Sequence, residues 1–407
     1  MSSTPPIPLP QIHTHHSPRN LIPLLQRYLP YSGPVLRRIQ HNLIHPSKTA
    51  KCLATLAPAQ SLPDSEPRDL PWLVAYVDVY AGRETQVWIF SNAEVLTASR
   101  RGASDRVSTF FDAPLPTEVI EKIRAQLLAL MAYIRTALLP GYLSMVQNEK
   151  STESILTNGN VEGTPRLAAH PPTSLLVGSL HSALLQLLAI PSSFGSSPSS
   201  QTEYPRVHLH RTHHPNVKYV FSRSEYAQKP DENLNAVLPP GYRFHDRQGR
   251  HGLQPHQVPL IQDRTYIFRS KELLMSSASA VVYYDDPDAD QDEGDGEENP
   301  VSWVFLGQDG SLVTLHVEPE HRGKGLAVQV GREVMRRGMS LESELFELVD
   351  SPPEQGWVFA DVLADNVASR RVMEKMGGEA TWTVAWAVVE VCVDGECSFC
   401  ARVAGGS

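Results

Sequence analysis

The sequence is short of cysteine, short of positive charge and without a membrane-length apolar run. Four cysteines in 407 residues cannot form a disulfide framework, which fits a reducing compartment and makes the cytoplasm the expected location. A formal net charge of -9 excludes a nucleic-acid binder that works by bulk positive charge. Much of the negative excess lies in one run, DDPDADQDEGDGEE, from Asp285 to Glu298. Like charges repel and extend a chain, so the run reads as a solvated loop. No window reaches the ~18 apolar residues of a membrane span. The nearest, AQLLALMAYIRTALL, is short and carries Arg135, so no membrane partner is expected. The opening MSSTPPIPLPQIHTHHSPR lacks the basic start and apolar core of a secretory signal.

What is present reads as two domains behind a tail. Residues 1–18 are expected to be disordered. Residues 19–230 read as an α/β domain with loop insertions near 146–166 and 191–203. In it PWLVAYVDVY and TQVWIFS are strand candidates, rich in aromatic and β-branched residues. TEVIEKIRAQLLALMAYIRTALLPG has Ile120, Ile123, Leu127, Ile134 and Leu138 at helical spacing, with Thr117 to cap it and Pro140-Gly141 to stop it. TSLLVGSLHSALLQLLAI reads as one more helix, and VKYVFSRS as a strand. LPPGYRFHD opens the second domain, 236–407. There ASAVVYY and SWVFLG are strands on either side of an acidic loop, 285–299, followed by GSLVTLHV, WVFADVLA and TWTVAWAVVEV. Strands mixed with helices imply an α/β (α+β) fold with a central sheet.

The stretch His321 to Ala327, HRGKGLA, joins GSLVTLHV to the helical pattern LAVQVGREVMRRG. A helix start exposes unpaired N–H groups and partial positive charge, so phosphates bind there. Gly323 and Gly325 give the backbone freedom, and Arg322 and Lys324 add charge. Leu326, Val330 and Val334 share one helix face. The loop lacks the GxxxxGK[ST] of a P-loop and the GxGxxG of a dinucleotide fold. From the glycines alone, a phosphate cradle and an ordinary turn are equally good readings.

Arg322-x-x-Gly325-x-Ala327 resembles the R/Q-x-x-G-x-G/A pattern of the GNAT (general N-acetyltransferase) superfamily. VFADVLADNVASRRVMEKMGG, some forty residues later, resembles the superfamily's later strand and helix. LPPGYRFHD and PVSWVF are similar to the C-terminal domain of glycine N-acyltransferase-like proteins and their fungal relatives. The resemblance covers roughly residues 236–400; in residues 20–230 it is confined to element order. It implies a GNAT-type mixed sheet in the second half, with the first half open to reading as a degenerate copy. It implies acetyl-CoA or another acyl-CoA as substrate, bound by the backbone of Val317, by Arg322, Gly323, Lys324, Gly325, Leu326 and Ala327, and by Asn366. Asn366 also reads as a plain N-cap, and the two roles are compatible.

Acyl transfer to an amine requires a neutral amine and a polarised carbonyl, and the leaving thiolate can be helped by a proton. Where glycine N-acyltransferases carry a glutamate base this chain has Ser311, and where many GNAT enzymes carry a tyrosine acid it has Met373. His316 and Glu318 are the nearest titratable candidates. Regular alternation would put His316 on the face of Leu312 and Thr314, opposite Ser311, as a packing residue; a bulge would reverse this. CVDGECSFC, with Cys392, Cys397 and Cys400, and HLHRTHHPN, with His208, His210, His213 and His214, lack the ligand sets of regular metal sites, and the histidine run reads as a surface loop, so no metal is expected. The expected activity is transfer of an acyl group, acetyl above all, from acyl-CoA to a small amine or amino acid. The alternatives are a CoA-binding protein without turnover, or an interaction module.

Overall fold

The computed structural model describes residues 8–61, 70–96, 115–153, 169–190, 205–212, 214–222, 237–285, 297–339, 345–347 and 356–392. Its strands are β1 (His13–Thr14), β2 (Lys51–Ala54), β3 (Leu73–Val77), β4 (Val87–Ser91), β5 (Ser174–His181), β6 (Arg206–Thr212) and β7 (Asn216–Ser222) in the first half. The second half adds β8 (Tyr242–Arg243), β9 (Ala278–Tyr284), β10 (Ser302–Leu306), β11 (Ser311–Val317), β12 (Trp357–Leu363) and β13 (Glu379–Cys392). All join one sheet in the order β1-β2-β3-β4-β5-β13-β7-β12-β11-β10-β9-β8, with β6 also paired to β13.

That order shows two similar halves that exchange strands. β2, β3 and β4 are antiparallel and β4 meets β5 in parallel. β9, β10 and β11 are antiparallel and β11 meets β12 in parallel. β12 is then covered by β7, a strand of the first half, while β5 is covered by β13, a strand of the second. β7 and β13 pair with each other at the centre. A boundary near residue 230 therefore divides the sequence but not the sheet.

The strands are apolar on both faces because helices cover both. In β3, Leu73, Ala75 and Val77 face the core of the helix Thr117–Tyr133, whereas Val74 and Tyr76 face that of the helix Gly33–Ile44. In the second half, Val282 and Val304 face the helix Leu326–Met339, and Val281, Tyr283, Trp303 and Phe305 face the helix Val258–Arg264.

Four sequence expectations change. TSLLVGSLHSALLQLLAI is a strand followed by a helix, Ser174–His181 and then Ser182–Ala189. A strand buried on both faces is apolar throughout, which resembles a buried helix. Pro140-Gly141 does not stop its helix; the π-turn Ile134–Leu138 precedes the proline and the helix runs on as Leu139–Glu153. A widened turn relieves the clash of the proline ring with the preceding turn. The resulting helix, Thr117–Asn148, is long and apolar enough to cross a membrane by length and composition, and its Ile123, Leu127, Leu130 and Ile134 are buried in the first-half core. Within the expected tail, His13 and Thr14 pair with Ala54 and Leu53. His208 and His210 lie on β6 rather than in a loop, with His210 Nε2 2.6 Å from Glu390 Oε2.

Candidate functional site

β11 and β12 touch at Ser311–Phe359 and Leu312–Ala360 and then part. Beyond that point residues 313–317 are half-buried, while Ser311 and Leu312 are buried. The parting coincides with a β-bulge. Trp303 stands opposite His316 and Phe305 opposite Val313, so β11 has one residue more than β10 over this stretch. Thr314 absorbs it with φ of 55°, the left-handed region that non-glycine residues rarely occupy.

The bulge corrects the expectation for His316. Leu312, Leu315 and Val317 pack towards the helix Leu326–Met339, and Val313 packs with Trp303 on the opposite face. His316 therefore shares the face of Val313, and its ring stacks on Trp303 at 4.6 Å and 19°. Its Nε2 is 3.5 Å from Glu318 Oε2, and the other Glu318 oxygen accepts a 2.9 Å bond from Arg264 Nε. Burial pushes the His316 pKa below the ordinary histidine value, and Glu318 opposes that only in part. A half-buried neutral imidazole beside a carboxylate can accept a proton at neutral pH.

The strand leads into a 3-10 turn, Pro319–His321, and then the glycine loop. Gly323 and Gly325 have φ of 79° and 82°, and nothing lies within 4 Å of where a Cβ would stand on either. Glycine is needed there for the backbone angle, and the space beside it is open. Arg322, Gly323, Lys324 and Gly325 are exposed. Arg322 Nε donates to the Val317 carbonyl at 3.0 Å, which ties the loop to the end of β11. Leu326, Val330 and Val334 anchor the following helix in the core, so its first N–H groups and its positive dipole end face the loop. The arrangement suits a doubly charged anion beside an open strand edge.

Asn366 caps the helix Val367–Lys375, its side chain accepting from Ser369 N at 3.0 Å. Met373 is buried in the second-half core. Ser311 is buried, and the Asp309 carboxylate accepts from its N–H at 3.1 Å and its hydroxyl at 3.2 Å. Among the described residues no group of three or more His, Cys, Asp or Glu could hold a metal ion. His213, Cys397, Cys400 and most of the acidic run lie outside the described residues. The ends of that run, Asp285 and Glu298, are both bound by Arg243.

Sequence reasoning missed a buried polar cluster at the exchanged strands. Lys218 of β7 and Asp361 of β12 form an ion pair at 2.7 Å, and Ser179 of β5 donates to Asp361 at 2.9 Å. Ser179 has φ of 50°. Ser179 and Lys218, with Glu94, Trp88, Trp382 and Tyr31, line a small cavity where β4 and β5 part. A lysine within VKYVF and an aspartate within VFADVL were the available signals, since buried charges in strands are rare unless paired.

A sheet with a parted parallel pair, a bulged strand and a glycine loop at a helix start defines the GNAT class of acyltransferase fold. Residues 8–219, just over half of the chain, match the family model described as acyl-CoA N-acyltransferase verG N-terminal domain, and the chain belongs to that family. Residues 295–387 match the model described as FR47-like protein. The chain is similar to a solved Drosophila protein at 11% identity and TM-score 0.47, with 95% of this chain and 99% of that chain covered. It is similar to a tandem GNAT protein from the clavulanic acid biosynthesis pathway at 12% identity and TM-score 0.37, with 95% and 99% covered. A GNAT-family acetyltransferase structure from Novosphingobium aromaticivorans gives 13% identity and TM-score 0.26, with 46% and 68% covered. A comparison with curated proteins gives no match.

Proposed function

We propose that the second half transfers an acetyl group from acetyl-CoA to the amine of a small molecule or amino acid by direct attack in a ternary complex. The observation that carries the reading is the parted β11–β12 pair, whose open edge runs straight into Arg322–Ala327. In this reading the amides and charges of Arg322, Gly323, Lys324, Gly325, Leu326 and Ala327 hold the pyrophosphate. The backbone from the bulge to Val317 pairs with the pantetheine amides, and Asn366, at the start of the later helix, helps hold the CoA arm as the resemblance implies. The thioester then lies near the bulge, on the β11 edge. As the amine nitrogen bonds to the thioester carbon the C–S bond breaks, and CoA leaves as a thiolate that takes its proton from solvent. His316 receives the amine proton, with Glu318, itself fixed by Arg264, stabilising the imidazolium. The resemblance to glycine N-acyltransferase-like proteins supports a small amine or amino acid as acceptor. A bound and ordered pair of reactants accounts for much of the rate, since proximity alone supplies ~7–11 kcal/mol in favourable cases.

The test is thiol release from acetyl-CoA across a panel of amines and amino acids. Turnover with at least one acceptor, and kcat/KM rising with pH through a value below the ordinary histidine pKa, is the expected result. Tight CoA binding with no turnover across the panel would favour a CoA-binding protein instead.

A further inference from the structure

The segment LPPGY, which opens the second half, has no place in the chemistry described so far. It packs beside the glycine loop. Val237 N donates to Gln329 Oε1 on the helix that follows the loop, at 3.0 Å. Gly241 has φ of 82°, and a Cβ there would meet Tyr284 at 3.3 Å. This glycine lets the chain turn into β8, where Tyr242 pairs with Tyr284. The Tyr242 hydroxyl then reaches two residues of the loop at once. It lies 2.9 Å from Lys324 Nζ and 2.9 Å from His321 Nδ1. An ammonium can only donate, so the Tyr242 oxygen accepts from Lys324 and its own proton is free to go to His321 Nδ1. The Lys324 ammonium also sits 5.5 Å from the Tyr242 ring centre and 5.6 Å from that of Tyr284, within cation–π range.

We infer that Tyr242 is a positioning residue: its hydroxyl ties Lys324 to His321 across the loop and holds the Lys324 charge at the loop's edge before CoA arrives. This rests on the acyl-CoA reading above. A free lysine side chain samples many rotamers, and fixing it on binding costs affinity. A lysine already fixed contributes its charge without that cost. Tyr242 thereby gives the LPPGY segment a role in affinity for CoA, with none in the proton transfer.

The experiment is calorimetric titration of CoA into the full chain and into Tyr242→Phe, Lys324→Met and the double variant, each checked by thermal melting without ligand. Tyr242→Phe keeps the ring and removes the hydroxyl. It should weaken CoA binding about fivefold, with Lys324→Met weakening it more. In the Lys324→Met background, Tyr242→Phe should add almost nothing, because the lysine it positions is gone. Unchanged affinity in Tyr242→Phe, or the same loss in both backgrounds, would overturn the inference and leave the acyl-CoA reading standing. Failure of the unaltered chain to bind CoA would overturn both.

Discussion

In the first half β4 and β5 meet at Val87–Val177 and part; in the second β11 and β12 meet at Ser311–Phe359 and Leu312–Ala360 and part. The same topological opening has opposite contents. In the first half Trp88, Glu94, Ser179 and Lys218 line a small cavity there, with Trp382 and Tyr31 stacked at 4.2 Å beside them. In the second the outer part of β11 stays half-exposed and ends in a glycine turn with open space around it. One opening has become part of the core that joins the halves, and the other has stayed available to a ligand. Exchange of β7 and β13 makes this division possible, because the second half depends on a strand that the first half supplies.

The largest way to break the contrast is at the closed opening. Lys218 and Asp361 are both buried, and removing one partner of such a pair leaves an uncompensated charge. Lys218→Met should cost about 3–5 kcal/mol of stability, read by denaturant unfolding. Lys218→Met with Asp361→Leu should recover part of it. An effect confined to one half, seen as two separate unfolding transitions, would argue against the exchanged strands as the joint.

His316→Gln should lower kcat/KM by ~10²–10³ and remove the rise with pH, with melting nearly unchanged. Because burial lowers the His316 pKa, the rising limb should lie on the acid side of an ordinary histidine. Lost stability with an unaltered pH profile would make His316 a packing residue after all.

Glu94 sharpens the comparison through pH. Burial pushes its pKa up to about 8, against the pull of the Ser91 N–H and of Lys218. A carboxyl raised in the folded state holds its proton more tightly there than when unfolded. Its contribution is fully present below the ordinary glutamate value and is lost as pH rises towards about 8. Glu94→Gln should flatten that part of the stability profile. An unchanged slope would show that other groups set it.

The smallest effect is at Asn366. Asn366→Ala should cost ~1 kcal/mol through the lost cap. Asn366→Ser keeps a capping oxygen, so a fall in CoA affinity with Ser, at restored stability, would show a role in the ligand site beyond capping.

The sequence made the second half far more legible than the first. GSLVTLHV followed by HRGKGLA gave strand, loop and helix, because glycines, charge and a helical apolar face follow one another there. Leu326, Val330 and Val334 are buried as that face requires. The bulge at Thr314 was not readable, since Thr in a β-branched run carries no mark of a positive φ, and so the face of His316 came out reversed. In the first half, β5 hid because Ser174–His181 is apolar on both faces. The exchange of β7 and β13 was equally hidden. Each reads as an ordinary strand, and only long-range pairing reveals which half it serves. Tyr242 shows the same limit, as its partners His321 and Lys324 lie some eighty residues away.

The central claim, that one opening takes the ligand and the other does not, is tested most directly by calorimetric titration of CoA into the unaltered chain, Gly325→Asp and Ser179→Ala. Gly325→Asp forces a side chain into a φ of 82° and sets a negative charge where the pyrophosphate would rest. The account predicts one CoA per chain, binding abolished in Gly325→Asp and retained in Ser179→Ala. Two CoA molecules per chain, or full affinity in Gly325→Asp, would contradict it.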